Sequence, residues 1–475
     1  MTQGENSINN RPGNATKPLI SFWGALSSAA LLLAAVISLA GCAALEREPG
    51  IPIPATNTAP PATPTPTPVP VIEIESVTAR AVQDPGRWDI FGLIENISND
   101  DLTDLELQVS LLNEEGEVQT EATFLPALRQ LSPGEETAFR AQFDELDIAV
   151  QSGQILVELA SYQPGPITPL QITVDQVSVR PDSQGGATYL GYFSNASPER
   201  GELRNVEAYM MDDDGRPIDF ADLTLTISII EPYGKVPFRV DFSGDHGDKW
   251  PVFFIDAVPL RDTTQPTPLW SVTEPRLFFT DQGIAYYVLE IENTAFAPQV
   301  FEGVFTLFDD LELAGVLPIR SPAPIRAQSS WFFTIEPGLA LPVRLRSDPE
   351  AMRDLTVDVT LDPAASHGVS DEVVIIDLEI QSVERTGSSL HMKGILSNPT
   401  ADTLASPLLS AVLRNTRGDV VSASTALVAD KLPADGRLEF TIALWIPAGT
   451  DLPSLEFDLS AFAVKPAGAG TQKPE

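Results

Sequence analysis

Three consecutive aspartates form the clearest candidate for metal chemistry in this sequence. Asp212, Asp213 and Asp214 directly precede a glycine, and carboxylates gathered on a turn are the hard oxygen ligands that Ca²⁺ prefers. Their spacing differs from that of an EF-hand loop. The equivalent turns of two other repeats carry Asn113-Glu-Glu-Gly and Asn415-Thr-Arg-Gly, which lack the three consecutive aspartates. We therefore interpret the three aspartates as turn residues, with calcium ligation as the alternative.

A second acidic cluster contains a histidine. Asp245, His246 and Asp248 place an imidazole among carboxylates, a combination that serves metal binding or acid–base chemistry. The sequence offers no second histidine nearby, so we interpret the segment as a solvated loop. The other two histidines, His367 and His391, have no partner that the sequence identifies. We predict no metal and no cofactor.

Motifs for catalysis are missing from the sequence. It has no G-x-S-x-G, H-E-x-x-H, P-loop or G-x-G-x-x-G motif. A carboxylate-pair glycosidase would need a cleft with aromatic platforms. The tryptophans in or beside strands, Trp88, Trp250, Trp331 and Trp445, are instead expected in cores. We therefore expect a non-enzymatic protein, and an enzyme would need convergent carboxylates such as those around Asp245 and Asp248.

The amino terminus has the layout of an export signal. Residues 1–19 are polar and contain two basic residues, Arg11 and Lys17, whereas Ile20 to Ala40 is an uncharged, Ala- and Leu-rich run. The run is long enough to span a bilayer, so an uncleaved transmembrane helix is the alternative to a cleaved signal at residues 1–41. Both alternatives place everything after Cys42 outside the cytoplasmic membrane.

The apolar run ends in Leu39-Ala40-Gly41-Cys42, which contains the chain's one cysteine. This ending resembles the lipobox of bacterial lipoproteins. The resemblance implies that the Cys42 thiol receives a diacylglycerol and becomes the first residue after cleavage. Acyl chains contribute about 0.8 kcal/mol per buried methylene, enough for stable membrane anchoring when several are present. Because Cys42 is the only cysteine, an intramolecular disulfide is excluded.

Residues 42–70 are predicted to form a stalk. From Ile51 to Pro70 the sequence is rich in Pro and Thr and lacks apolar periodicity, which favours extended polyproline II structure of roughly 3.1 Å per residue. Recognition by a Pro-binding domain is the alternative. The carboxy-terminal tail, residues 467–475, is predicted to be disordered.

The charge balance excludes one class of partner. The chain of 475 residues has 66 Asp and Glu against 29 Lys and Arg, a formal net charge of -37. Phosphate backbones are bound by clustered basic residues, so we exclude nucleic acid as a partner. Dispersed acidity instead indicates a soluble, exposed surface.

The sequence between stalk and tail repeats four times. Four equivalent strand ends finish in an asparagine, at sequence numbers that differ by 99, 98 and 105: Asn96, Asn195, Asn293 and Asn398. Each is followed by an apolar strand and a hairpin signal. A Pro-containing turn comes next in three copies, whereas the third offers Ala327-Gln-Ser-Ser-Trp331. Four β-sandwiches are predicted, at residues 71–163, 170–263, 268–363 and 371–466.

The predicted fold class is all-β, with four tandem immunoglobulin-like antiparallel sandwiches, because short β-rich runs alternate with turn residues. Phe305-Thr-Leu-Phe-Asp309 resembles the signature of the FxLYD domain family, immunoglobulin-like sandwiches of prokaryotic surface proteins. The other three copies keep the spacing and lose the aromatic positions. The resemblance implies fold and surface location and assigns no functional residue.

These patterns favour a structural, adhesion or protein-binding rod, anchored to the membrane and facing envelope proteins or glycans. The alternative is a substrate- or glycan-binding module that serves a transporter or surface hydrolase. That alternative predicts a concave, aromatic-lined groove.

Changing Cys42 to Ala is expected to abolish incorporation of labelled fatty acid, because no other thiol can accept the lipid. Metabolic labelling of the full chain measures this. Unchanged labelling would refute lipidation at Cys42, and membrane retention without label would favour the uncleaved helix.

Overall fold

The computed structural model describes residues 70–81, 86–144, 150, 154–181, 186–223, 227–244, 246–247, 249–260, 269–338, 341, 345, 348–362, 367–368 and 372–465. Within these ranges the regular structure is almost entirely strand, and the strands pair antiparallel into sheets that stack over apolar cores. This confirms the prediction of an all-β chain of sandwiches. The signal segment, Cys42, the stalk and the tail lie outside the described residues. None of the helices described is long and apolar enough to cross a membrane.

The first sandwich has seven strands. One sheet has the order β1-β2-β6, and in the other β3 pairs with β4, β5 and β7. The strands are β1 (Ile72–Ala81), β2 (Trp88–Asn96), β3 (Leu102–Leu112), β4 (Val118–Phe124), β5 (Gln130–Leu131), β6 (Glu136–Phe143) and β7 (Ile155–Pro164).

The second sandwich repeats this arrangement, with one sheet of β8, β9 and β13 and another in which β10 pairs with β11, β12 and β14. Its strands are β8 (Ile172–Pro181), β9 (Ala187–Asn195), β10 (Gly201–Met211), β11 (Pro217–Asp222), β12 (Ile229–Ile230), β13 (Lys235–Phe242) and β14 (Val252–Pro259).

In the third sandwich, β17 pairs with β15, β16 and β21, and β19 pairs with β20 and β22. A further pair joins β18 to β23, and one short helix, α1, is capped by the Asp348 side chain. The elements are β15 (Trp270–Val272), β16 (Arg276–Phe279), β17 (Ala285–Asn293), β18 (Gln299–Val300), β19 (Glu302–Asp309), β20 (Glu312–Arg320), β21 (Ser329–Ile335), α1 (Pro349–Arg353), β22 (Thr356–Leu361) and β23 (His367–Gly368).

The fourth sandwich has one sheet of order β25-β26-β30 and another of order β24-β31-β27-β28, in which β29 also pairs with β27. Its strands are β24 (Glu372–Ile375), β25 (Asp377–Thr386), β26 (Ser389–Ser397), β27 (Leu404–Arg414), β28 (Val420–Leu427), β29 (Lys431–Leu432), β30 (Arg437–Trp445) and β31 (Glu456–Lys465). A 3₁₀ helix, Leu452–Ser454, precedes β31.

The repeated asparagine has the same buried role in all four sandwiches. Asn96 donates from Nδ2 to the carbonyls of Asp100 and Leu131, both at 2.9 Å, and its Oδ1 accepts the amide hydrogen of Ser98 at 3.0 Å. Asn195, Asn293 and Asn398 make the corresponding bonds. In the first sandwich, the Asn96 side chain thus joins the loop after β2 to the turn before β6. Its hydrogen bonds satisfy backbone carbonyls that would otherwise be buried without a partner.

The third copy keeps the turn despite lacking proline. Gln328 has φ 53°, in the left-handed region that Tyr233 and Asp435 occupy in the second and fourth copies. Asn293 donates to the carbonyls of Ile325 and Arg326, at 2.9 and 3.1 Å. The backbone of Ala327–Trp331 therefore supports the repeat alignment at the point where the sequence signal is weakest.

Consecutive sandwiches meet face to face, in three equivalent joints. The first sheet of sandwiches one, two and three packs against the hairpin strand of the next sandwich, which is β11, β20 and β28 respectively. An arginine crosses each joint to a backbone carbonyl of that strand. The pairs are Arg80 to Ile218 at 3.5 Å, Arg180 to Leu313 at 2.7 Å and Arg276 to Val420 at 3.2 Å.

The joint between sandwiches one and two is filled with aromatic rings. Phe91 of β2 meets Tyr209 of β10 edge-on, with ring centroids 6.5 Å apart. Phe220 and Phe254 flank Tyr209 at 5.2 and 5.7 Å. Such contacts explain why β2 is buried on both faces: Ile90 points into its own sandwich, and Phe91 points into the joint.

The joint between sandwiches three and four contains a buried tyrosine. The Tyr286 hydroxyl donates to the carbonyl of Val421 at 3.0 Å. Burial raises the pKa of Tyr286, so the hydroxyl keeps its proton and remains a donor. Val288 packs beside it against Val412 and Val420. The same strand positions therefore form the contact here as in the first joint.

Both end faces of the series are polar. Strand register gives the first sandwich three hydrophilic residues at the positions of the joint aromatics of the second: Ser110 for Tyr209, Glu121 for Phe220 and Glu158 for Phe254. On the last sandwich, exposed Lys393 and Glu439 stand at the positions of buried Phe91 and Ala138. The sheets that form the joints are apolar on the face turned away from their own core. The two sheets at the ends of the series are polar on that face, as in the capping repeats of repeat proteins.

Copying the first end face onto the second sandwich should open the first joint. In the variant Tyr209→Ser, Phe220→Glu, Phe254→Glu, one buried and two half-buried rings are lost, of which the buried one contributes about 2 kcal/mol, and two charges are introduced. We expect a larger radius of gyration in small-angle X-ray scattering. The matched control adds two charges to the exposed face, Gln108→Glu with Thr123→Glu, and should leave the radius unchanged; equal radii for both variants would contradict the joint.

Candidate functional site

The Asp212–Asp214 cluster closes a hairpin turn between β10 and β11. Asp212 Oδ1 accepts the amide hydrogens of Asp214 and Arg216, at 2.9 and 2.8 Å. The Arg216 amide is the main reason that the pKa of Asp212 lies below its usual range. Asp213 and Asp214 pair with Lys249 and Arg216, at 3.1 and 3.7 Å. The three carboxylates thus bond to the turn and to nearby cations.

Asn113 and Asn415 occupy the position of Asp212 in the hairpin turns of the first and fourth sandwiches. Each side-chain oxygen accepts an amide hydrogen from the residue four positions later, at 2.8 and 3.0 Å. Gly215 closes the second hairpin at φ 80°, which a residue with a Cβ rarely adopts. The shared geometry supports turn chemistry at these positions. Among the described residues, no group of three or more His, Cys, Asp or Glu side chains is arranged to hold a metal ion.

His246 contacts a carboxylate that the sequence did not single out. Its Nε2 lies 2.7 Å from Oδ2 of Asp219 on β11. Asp245 and Asp248, its neighbours in the sequence cluster, lie outside the described residues. His367 pairs through its backbone with Val300. His391 lies half-buried on β26.

Asp219 belongs to a charge network at the first joint. Arg80 contacts both Asp219 and Asp89, and Arg140 also contacts Asp89, at 3.0 Å. Both aspartate side chains are 4% exposed. Arg80 also lies over the ring of Phe91, 5.3 Å from its centroid. The arginines compensate the charges of the two buried carboxylates. This network therefore connects the first sandwich to the second by ion pairs.

Sequence reasoning missed this network because its members are far apart in the chain. Arg80 and Asp219 are 139 residues apart and belong to different repeats. The available signal was a charged residue inside a strand: Asp89 directly follows Trp88 in an otherwise apolar run. A charge at such a position needs a partner when it is buried.

A cleft of about 340 Å³ opens where the third and fourth sandwiches meet. Four strand regions line it, and its wall combines aromatic rings, hydroxyls and one charge of each sign. The lining residues are Arg320, Pro322, Phe332, Phe333, Thr334, Glu336, Ala423, Ser424, Thr425, Leu427, Ala443 and Trp445. Its size falls within the range of small-ligand sites.

Three side-chain contacts shape the cleft. The Trp445 indole Nε1 donates to Oε1 of Glu336, which joins the two sandwiches. The amide nitrogen of Ala423 donates to Oγ1 of Thr334 at 2.9 Å. Thr425 Oγ1 is buried and has no hydrogen-bond partner among the described residues.

The four tryptophans divide between core and surface. Trp331 is buried in the third core and Trp88 packs against the first, as predicted. The core prediction is wrong for Trp250, which is 53% exposed. Trp445 is half-buried against the cluster that contains Tyr286 and Val288, and it also lines the cleft. The strand positions of these residues were visible in the sequence, whereas the cleft depends on how two sandwiches meet.

Comparisons with known proteins give no family for this chain. No family model matches it, and neither does any curated protein. Solved structures that it is similar to include red sea bream transglutaminase, with 12% identity, 40% of this chain and 29% of that chain covered, and a TM-score of 0.13. Trypsin-activated α2-macroglobulin from Escherichia coli has 10% identity, 79% and 31% coverage, and a TM-score of 0.11. The chain spans less than a third of the length of either protein.

Replacing Asp219 by Asn should destabilise the first joint by about 2 kcal/mol, because half-exposed Arg80 and largely buried His246 would lose the carboxylate that they share. Chemical denaturation of the full chain measures the loss. The matched control is Asp213→Asn on the same hairpin, whose side chain is 97% exposed and should cost less than about 0.5 kcal/mol. Equal stabilities for the two variants would show that the network contributes nothing.

Proposed function

We propose that this chain is a non-enzymatic lipoprotein of the cell surface, anchored through Cys42, whose sandwiches form a scaffold for binding an envelope partner. The observation that carries the proposal is the set of three equivalent joints. Joints of this kind fix each sandwich against the next, so a surface on one is held at a set orientation to the others. Such order suits a structural or binding rod better than independent, freely linked domains.

The proposed location rests on the sequence. The lipobox-like ending at Cys42 and the apolar run before it support export and lipid attachment. A Pro/Thr-rich stalk would then carry the first sandwich away from the bilayer, and the acidic surface would remain soluble there. The partners proposed are envelope proteins or glycans, with nucleic acid excluded by charge.

We also propose that each sandwich is immunoglobulin-like and related to FxLYD domains. In the first two sandwiches the second strand pairs within one sheet, the third and fourth form a hairpin in the other, the sixth returns to the first sheet and the seventh to the second. Crossing between two sheets in this manner is typical of Greek-key sandwiches. Phe305 to Asp309, the segment that resembles the family signature, forms most of β19.

A second candidate function is supported by the cleft. Its aromatic and hydroxyl lining is the kind of groove that a substrate- or glycan-binding module would need, and Trp445 is a usable platform for a sugar ring. In that case the protein would present a substrate to a transporter or surface hydrolase.

Photo-crosslinking in living cells tests the binding role. A photoreactive amino acid replaces exposed Leu427 at the cleft or exposed Leu125, its equivalent after β4 in the first sandwich. We expect a discrete crosslinked product with an envelope protein or glycan from position 427, and none from the matched control at 125. Absence of product at 427, or identical products at both positions, would contradict a specific binding surface.

A further inference from the structure

We infer that the cleft between the third and fourth sandwiches binds an extended segment of another polypeptide, which adds as a strand to the free edge of β28. This inference rests on the proposed partner-binding function and specifies its site and the form of its ligand.

The cleft lies along strand edges. Three consecutive residues of β21 line it, Phe332 to Thr334, and three of β28, Ala423 to Thr425. Successive side chains of a strand point to opposite faces, so a cavity lined by three in a row must lie beside the strand rather than over one face. In the described sheets β28 pairs only with β27, and β21 only with β17. Both strands therefore turn an unpaired edge toward the cleft.

The backbone of β28 offers hydrogen bonds in the correct direction. The amide of Ala423 points away from β27, since it donates to Oγ1 of Thr334. Amides of an edge strand alternate in direction, so that of Thr425, two residues later, points the same way. Thr334 already occupies the amide of Ala423. The amide of Thr425 is therefore the group to which an added strand would bond through its own backbone.

The side chains around the edge define the chemistry of the segment. Trp445 and Leu427 provide apolar contact for one side chain, while Arg320 attracts a carboxylate. A suitable segment is extended and has an apolar residue and an acidic residue on alternate positions. One acidic group suffices, because the surrounding protein is itself strongly acidic and repels an acidic run.

A peptide fits the site better than a glycan does. One face of Phe332 is covered by the guanidinium of Arg414, at 5.5 Å from the ring centroid, and that guanidinium bonds to Asp458 at 3.0 Å. Phe333 packs against Phe301 in the third core, with ring centroids 5.5 Å apart. Trp445 is therefore the aromatic ring of the cleft that neither Arg414 nor this core contact covers. Sugar sites rely on ring stacking, whereas strand addition relies on backbone groups, which the cleft presents on two edges.

The test uses the full chain and a phage-displayed library of random twelve-residue peptides as the probe. We expect selected peptides to bind, to protect the amides of Thr425 and Leu427 from hydrogen exchange, and to lose at least about tenfold in affinity to the Thr425→Pro variant. Proline removes the outward amide without breaking the pairing to β27. The matched control is Thr123→Pro at the equivalent edge position of β4, which should keep affinity within about twofold.

A peptide-side variant keeps the test decisive if Thr425→Pro unfolds. Two peptides are N-methylated at alternate amides, one at odd positions and one at even positions. Binding should be abolished in the peptide whose methylated amides face β28 and kept in the other, a difference that only strand pairing produces. Equal loss for both methylated peptides, peptides that protect other residues, failure to select any peptide, or binding on a glycan array that Trp445→Ala removes would each overturn the inference. These measurements use isolated protein, so they fail or succeed independently of whether the chain is lipidated and scaffolds an envelope partner.

Discussion

The contact between outer sheet faces is the constraint on which the arrangement of the described chain depends. An antiparallel sheet usually turns one face to its core and the other to water. Here β2 and β10 are buried on both faces, because Phe91 and Tyr209 project away from their own cores and meet each other. Each inner sandwich therefore needs its neighbour to cover apolar surface. The two end faces carry polar residues, among them Glu121 and Lys393. These faces therefore need no further sandwich to cover them.

Two further sets of polar contacts, made by the buried asparagines and by the joint arginines, make the joints specific. The buried asparagines fix the loops within each sandwich, so that its outer faces are presented in the same geometry every time. The arginines then reach carbonyls of the next hairpin, and at the first joint a buried aspartate pair adds charge complementarity. Apolar burial stabilises the contact, while hydrogen bonds with fixed directions select one alignment among several that burial alone would permit. The cleft is a consequence of this alignment, because it forms where β21 and β28 meet.

Much of the fold could be predicted from the sequence, because the decisive signals are local. The asparagine spacing, the hairpin turns and the alternating strands each concern a few neighbouring residues, and the structure has four sandwiches with those elements. The joints and the cleft could not be predicted in this way. Arg80 and Asp219, or Thr334 and Ala423, come together only after whole sandwiches have packed. Trp445 shows the difference: its strand was recognisable, but its exposure at a cleft depends on the neighbouring sandwich.

The most direct test of the stacked arrangement is a distance distribution between spin labels at its two ends. Labels on cysteines at exposed Thr123 and Glu439, in a chain with Cys42 changed to Ala, would be measured by pulsed electron resonance. Three fixed joints predict one narrow distribution. A broad distribution, as expected for sandwiches that move independently on their linkers, would contradict the account.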